Sequence, residues 1–355
     1  MQQAFLSVAS WPALVDAVSA VVDLPATARA SGAFVRPGKV RSAADLLRLA
    51  LMYGAGKLSL RGVAAEATAL DVASLSDVAV LKRLRHCGDW LALILDHLLA
   101  ARAGVTRPAA VPRLALVDGS TVSVPGSQGS DWRLHARYEP AAGRFTDLVL
   151  TDASTAEGLS CVAVSPGDVI VADRGYARVR NFAHLQAVGS DFITRIGWRS
   201  VKLFDAQGQP FAPLAALPPT GVAVVEHAVH IGRAATPARL VIQRIPAEKI
   251  ARQHARLRRK ASRHGHKTDP RTTLAAGYLM LLTSLPATRC PPERVAALYR
   301  LRWQIELAFK RLKSLGGFGD LPAADPALAR SWLLAQLIVA VLSEDLAQQV
   351  LDFPP

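Results

Sequence analysis

The sequence predicts a mixed α/β protein: a mixed sheet flanked by helices, interrupted by a β-rich insertion and preceded by a helical region. Three observations carry this. Apolar residues recur at three- and four-residue spacing up to about residue 105. Short apolar runs that end in turn residues follow to about residue 196. A stretch of further strand patterns and dense positive charge then separates these from a second helical region. Strands that lead into a strand–helix–strand unit imply a sheet covered by helices.

Residues 1–105 read as a helical N-terminal domain. Its opening, "MQQAFLSVASWPALVDAVSA", has no leading cationic segment, and Asp16 interrupts the apolar run. It is therefore read neither as a signal peptide nor as a membrane span. Ser42-x-x-Asp45 and Ser76-Asp77 are helix-start signals. "LSLRGVAAEATALDVASLSDVAVLKRLRHC" reads as two short helices joined by a turn, with Lys82, Arg83 and Arg85 on the second. That pattern suits a helix-turn-helix DNA reader and a plain helical bundle alike, and both stay open here.

Residues 106–196 form the first part of the core. Past Pro108 and Pro112, "RLALV" runs into Asp118, and "DWRLHARYEP" with "GRFTDLVLTDAS" makes a hairpin across "PAAG". "DVIVA" runs into Asp173, and the helix "ARVRNFAHLQAVG" leads to the strand "DFITRI". Residues 197–280 are the insertion, with strands "VAVVEHAVHIG" and "ARLVIQRIP", a basic run over 244–271, and the strand "GYLMLLTSL" crossing its far boundary. Residues 281–355 return to the core and end in helices. "RSWLLAQLIVAVLSEDLAQQV" is apolar for only a dozen residues before Glu344 and Asp345, which marks a buried core helix.

Charge narrows the function. In 355 residues, 42 Lys and Arg face 28 Asp and Glu, a net +14. Such an excess favours a polyanion, nucleic acid before membrane. The run 244–271 holds ten Lys or Arg against Glu248 and Asp269, hence eight of the fourteen net charges. Arg256, Arg259, Lys260 and Arg263 in it are candidates for contacting backbone phosphates. Cys87, Cys161 and Cys290 lie far apart, which argues for a reducing cytoplasm and against a disulfide framework or zinc site. His227-x-x-His230 and His264-Gly-His266 lack Cys or acidic companions and read as surface or strand histidines. "GAGKLS" at 54–59 lacks P-loop spacing, and no Gly-rich loop follows the first strand, which argues against a nucleotide-binding Rossmann enzyme.

Three carboxylates then stand out. Asp118 and Asp173 each follow a buried strand, and strand ends in an open α/β sheet converge on one crevice. Two carboxylates there repel unless a cation separates them. Hard oxygen ligands of this kind suit Mg²⁺. "YRLRWQIELAFKRLK" reads as one helix from Tyr299 to Lys313. At about 100° per residue, Tyr299, Arg302, Glu306, Lys310 and Lys313 fall in one stripe roughly 80° wide. Glu306 supplies the third carboxylate, amid cations suited to phosphates. Two metals roughly 3.5–4 Å apart would activate the attacking oxygen and stabilise the departing one.

Asp118 in "VDGSTV", Asp173 in "ADRGY" and Tyr299-x2-Arg302-x3-Glu306-x6-Lys313 together resemble the DDE transposases of bacterial insertion sequences, and within them the group with the Y-R-E-K signature. "TSLP" at 283–286, "LSLRGVAAEA" and "LSDVAVLKRLR" share the likeness, which covers about residues 43–345. The resemblance implies an RNase H-like core split by a largely β insertion, for which the 133 residues between Asp173 and Glu306 leave room. It implies cut-and-paste transposition with Mg²⁺, for which Mn²⁺ substitutes, held by Asp118, Asp173 and Glu306. Tyr299, Arg302 and Lys313 would contact phosphates at the element end, with Arg174 of "DRGY" and Lys310 beside them. Relatives hold a DNA hairpin and a flipped base; Tyr278 is the aromatic assigned here, with Trp198 as its competitor. The partners implied are double-stranded DNA, as terminal inverted repeats and target, and a second copy of the chain on that DNA. No membrane is expected, and the expected place is the cytoplasm, at the nucleoid. Two other readings stay open: an element-derived DNA-binding protein without catalysis, and a stand-alone nuclease.

Overall fold

A computed structural model describes residues 10–103 and 113–352 apart from 234, 264, 266 and 315, with side chains through 348. The first nine residues, the Pro108–Pro112 boundary and the His264/His266 pair lie outside the described residues.

Among the described residues, six helices come first: α1 (Trp11–Ser19), α2 (Leu24–Ala30), α3 (Ala43–Tyr53), α4 (Leu60–Ala69), α5 (Asp77–Arg85) and α6 (Gly88–Ala103). The two start signals act as caps. Ser42 accepts the Asp45 amide at 3.1 Å, and Ser76 accepts that of Ala79 at 3.3 Å. The predicted helix pair is α4 and α5, and Arg85 on α5 pairs with Asp325 at 2.8 Å.

Then come β1 (Arg113–Val122), β2 (Trp132–Glu139), β3 (Arg144–Asp152), β4 (Asp168–Ala172), α7 (Val179–Val188) and β5 (Asp191–Arg195). The meander β1–β2–β3 is antiparallel, while β1, β4 and β5 are mutually parallel. The order 3-2-1-4-5 with these directions is an RNase H-like core. One expectation is corrected here. Asp118 lies within β1, not at its end, because β2 keeps β1 paired as far as Val122 after β4 has stopped at Ala172.

The insertion adds β6 (Leu203–Phe204), β7 (Pro210–Phe211), β8 (Val224–Ile231) and β9 (Thr236–Arg244), then α8 (Ala247–Arg263), α9 (Pro270–Ala275) and β10 (Tyr278–Thr283). These strands extend the core sheet to ten, in the order β3-β2-β1-β4-β5-β10-β9-β8-β6-β7. The basic run makes the 17-residue helix α8, whose only buried residue is Ala261. His227 and His230 sit on strand β8, as expected.

The chain returns through α10 (Pro292–Arg300), α11 (Trp303–Ser314) and α12 (Pro326–Asp352). The single helix expected from Tyr299 to Lys313 is therefore two. The Leu301 amide bonds to the Leu298 carbonyl and the Arg302 amide to that of Tyr299, both at 3.0 Å. Such three-residue bonds overwind the backbone relative to an α-helix. The turn leaves Trp303 exposed and Arg302 largely covered.

Both faces of the sheet are covered. Ala115, Val117, Ile170 and Ala172 pack under Phe182 and Leu185 of α7. Leu116, Leu134, Val171 and Leu281 face a larger core shared by the N-terminal helices and α10–α12. Residues 326–348 of α12 are long and apolar enough to cross a membrane, yet Trp332, Leu333, Leu337, Ile338 and Val341 are buried inside the protein. Gly54, at the end of α3, is held by this helix: a Cβ there would lie 2.5 Å from that of Ala335 and 2.9 Å from the Trp332 carbonyl. Gly54→Val should therefore destabilise by about 1–3 kcal/mol, read as a lowered Tm. An unchanged Tm would mean that α3 and α12 can separate freely.

Candidate active site

Strand register brings the first two acidic residues together. Val117 lies opposite Ala172 on parallel β1 and β4, so Asp118 and Asp173, the next residue of each, stand at one level. Ala172 lies opposite Thr194 on β5, which sets Arg195 at the same level on the third strand. Asp173 opens a 3₁₀ turn over Arg174–Tyr176, and its Oδ1 accepts the Gly175 amide at 2.7 Å. Asp118 Oδ1 accepts the Gly119 amide at 2.8 Å.

Glu306 arrives from the first turn of α11. Arg302 joins it to the strand: Nη1 is 3.3 Å from Asp118 Oδ2, and Nη2 donates to Glu306 Oε1. The ring of Tyr299 lies 5.9 Å from that guanidinium, and burial raises the phenol pKa. Lys313 Nζ donates to the Thr121 carbonyl of β1 at 2.9 Å, which ties the end of α11 to the same strand.

Burial raises the Asp118 carboxyl to about 6; the Gly119 amide and Arg302 oppose this, while Asp173 and Glu157 add to it. Among the described residues, no three acidic, His or Cys side chains are gathered tightly enough to share one metal ion as they stand, and Arg302 occupies the gap between Asp118 and Glu306. In donor chemistry the three residues fit a hard divalent cation. Asp118 and Asp173 stand at one level, and 54% of the Glu306 side chain is exposed.

A cleft of ≈ 990 Å³ runs from Asp173 between the sheet and α8. Arg174, Arg195, Arg199, Lys260 and Lys267 line it, with Trp198 and Tyr278 as its aromatic surfaces. Trp198 Nε1 donates to Thr272 Oγ1 at 3.2 Å, and Arg271 and Arg199 lie 4.8 and 5.2 Å from its rings. Tyr278 has Arg244 at 5.2 Å. Both aromatic candidates thus share one cleft.

The other predicted contacts are placed differently. Arg256, Arg259 and Arg263 are exposed on α8, and of the four residues singled out there Lys260 is the one that lines the cleft. Lys310 borders a separate hollow with Trp303, Leu307 and Arg311 beside Tyr138. Sequence reasoning did not single out Arg195, Arg199 or Glu157, and took Lys267 only as part of the basic run. The end of "DFITRI" was a usable signal for Arg195, since a third parallel strand ends beside the other two. Glu157 lies in a loop with no pattern around it.

Comparison with known proteins identifies the family. The family model for the transposase DDE domain matches residues 109–342. The chain is 41% identical over 355 residues to the putative transposase InsL for insertion sequence element IS186A of Escherichia coli (strain K12), covering 98% of this chain and 96% of the relative. It is also 41% identical to the transposase for insertion sequence element IS421 of Escherichia coli, over 98% and 96% of the two chains. A cryo-EM structure of the piggyBac transposase synaptic complex with hairpin DNA superposes with a TM-score of 0.45 at 9% identity, covering 94% of this chain and 73% of that one. The order of the core strands, the matched domain and the near-full-length likeness lead to one conclusion: the chain belongs to the transposase DDE domain family, as an insertion-sequence transposase.

Proposed function

We propose that this transposase cuts both ends of its element and joins the freed 3′-OH groups to target DNA by two-metal catalysis, with Asp118, Asp173 and Glu306 holding Mg²⁺. The observation that carries this reading is the level pairing of Asp118 and Asp173 on parallel strands, with Arg302 linking Asp118 to Glu306. Mg²⁺ would polarise phosphodiester oxygens and lower the pKa of the attacking water or hydroxyl.

The chain's own residues do the positioning. Arg174 and Arg195 border Asp173 and clamp the phosphates flanking the cut. Arg302 exchanges its carboxylate partners for a phosphate, which frees Glu306 to turn toward Asp118. Buried Tyr299 backs that guanidinium, and Lys313 holds α11 against β1. Lys260, Lys267 and Arg199 carry the DNA backbone along the cleft. Trp198 or Tyr278 offers the stacking face for an extruded base, which a hairpin step requires. Two ends must react together, so the working form is a dimer on DNA.

Purified protein, Mg²⁺ and a duplex carrying the element end test the reaction. The expected products are a nick exposing a 3′-OH, then strands joined to target; hairpin-ended fragments on a denaturing gel would establish that intermediate. Binding without nicking, in Mg²⁺ or Mn²⁺, would favour a silent DNA-binding protein. Cutting without joining would indicate a nuclease.

The role of α8 has a separate readout. Changing Arg256, Arg259, Lys260 and Arg263 together to Ala should flatten the log K against log[salt] slope by roughly 0.9 for each phosphate no longer neutralised, up to about 3.6. An unchanged slope would take α8 out of the DNA path.

A further inference from the structure

Gly119 and Gly175 follow the two strand aspartates by one and two residues, and neither has the positive φ that calls for glycine. What both lack is space. A Cβ on Gly119 would lie 3.0 Å from Glu157 Oε1, and one on Gly175 would lie 2.9 Å from Glu157 Oε2. The Glu157 carboxylate is thus wedged between the two glycines. Asp173 Oδ1 is 3.9 Å from the same point at Gly175, so the two carboxylates are neighbours across it.

Arg302 serves Asp118 and Glu306, and no salt bridge among the described residues reaches Glu157. Arg133, whose charge is felt at Tyr176, donates through Nη1 to the Thr155 carbonyl at 2.6 Å and makes no salt bridge to Glu157. The Tyr176 hydroxyl is aimed into this corner, 3.4 Å from the position of a Gly119 Cβ. Tyr176 is 1% exposed and that hydroxyl has no hydrogen-bond partner. Asn181 fixes the two segments to each other: its Nδ2 donates to the Tyr176 carbonyl at 2.8 Å, and its Oδ1 accepts the Leu159 amide at 3.4 Å. A built corner with a surplus of carboxylate and an orphaned buried hydroxyl is a place for a cation and its water.

We propose that Glu157 is a fourth cation-binding carboxylate of the catalytic centre, which closes with Asp118 and Asp173 on a divalent ion that the three do not yet enclose as they stand, with the Tyr176 hydroxyl donating to Glu157 or to the ion's water. This rests on the reading of Asp118 and Asp173 as metal ligands. Glu157→Gln keeps the shape and removes the charge.

The test uses the full chain without DNA and Mn²⁺ alone as the probe, followed by calorimetry and by the EPR signal of free Mn²⁺. Glu157→Gln should weaken Mn²⁺ binding about 10–100-fold. It should also raise the Tm of metal-free protein and shrink the rise in Tm that Mn²⁺ produces, which a merely structural glutamate would not do. Gly175→Ala, whose Cβ displaces the carboxylate, should weaken Mn²⁺ in the same direction if the glutamine variant folds poorly. Wild-type Mn²⁺ affinity in both variants, with Asp118→Asn impaired, would overturn the role of Glu157 and leave the aspartates standing. Wild-type affinity in Asp118→Asn as well would overturn the metal reading of the whole centre, and this inference with it.

Discussion

Asp173→Asn should abolish strand cleavage, by on the order of 10³-fold or more, while binding to the element end stays near wild type. The amide replaces the carboxylate at the same size, and its oxygen can still accept the Gly175 amide that Asp173 Oδ1 now holds at 2.7 Å. The Arg174–Tyr176 turn therefore survives, with Arg174 still in the cleft. What is lost is one negative charge at the shared level of β1 and β4, where cation affinity depends on charge count. DNA affinity should hold or rise slightly, because a repulsive group beside the phosphates has gone. Cleavage of a labelled end duplex and a gel-shift on the same DNA separate the two effects. Cleavage at the wild-type rate would refute the assignment of Asp173, and an equal loss of binding would mean that the turn had collapsed.

Arg302 carries the second large effect. It is the cation placed between Asp118 and Glu306, with 16% of its side chain exposed. Arg302→Met should leave Asp118 facing Asp173 and Glu157 without its countercharge, so metal-free protein should lose stability. The loss should fall short of the ~3–5 kcal/mol of a fully buried broken pair, because Glu306 is half in water. Cleavage should fall about 10²-fold or more as a phosphate clamp disappears. Arg302→Lys should recover the stability better than the rate, since an ammonium supplies charge without the two-pronged geometry. A lysine variant with full activity would show that Arg302 acts as charge alone.

Local pattern was enough for much of the fold. Strands β1 to β5, the hairpin across 140–143, and helices α4 and α5 follow from short-range periodicity and turn chemistry, which the chain expresses residue by residue. The helix through Tyr299–Lys313 failed for a physical reason. Apolar spacing continues across Leu301, while the overwound turn there is set by where Arg302 must reach, a contact 184 residues away. Asp118 looked like a strand end because Gly-Ser-Thr follows it. Pairing with β2, which no local pattern announces, carries the strand on to Val122.

The sequence by itself determined the family and the candidate residues: three acidic residues in order, the Y-R-E-K spacing, a basic run, and a charge balance that calls for a polyanion. Only the tertiary structure decided how these meet. Parallel register levels Asp118, Asp173 and Arg195; α8 faces Trp198 and Tyr278 across one cleft; and the glycines after the aspartates leave room for Glu157. The reason is range. Residue type and spacing record what a short segment can do, whereas a cluster of like charge depends on contacts between segments far apart in the chain, and these are settled by burial of the shared core.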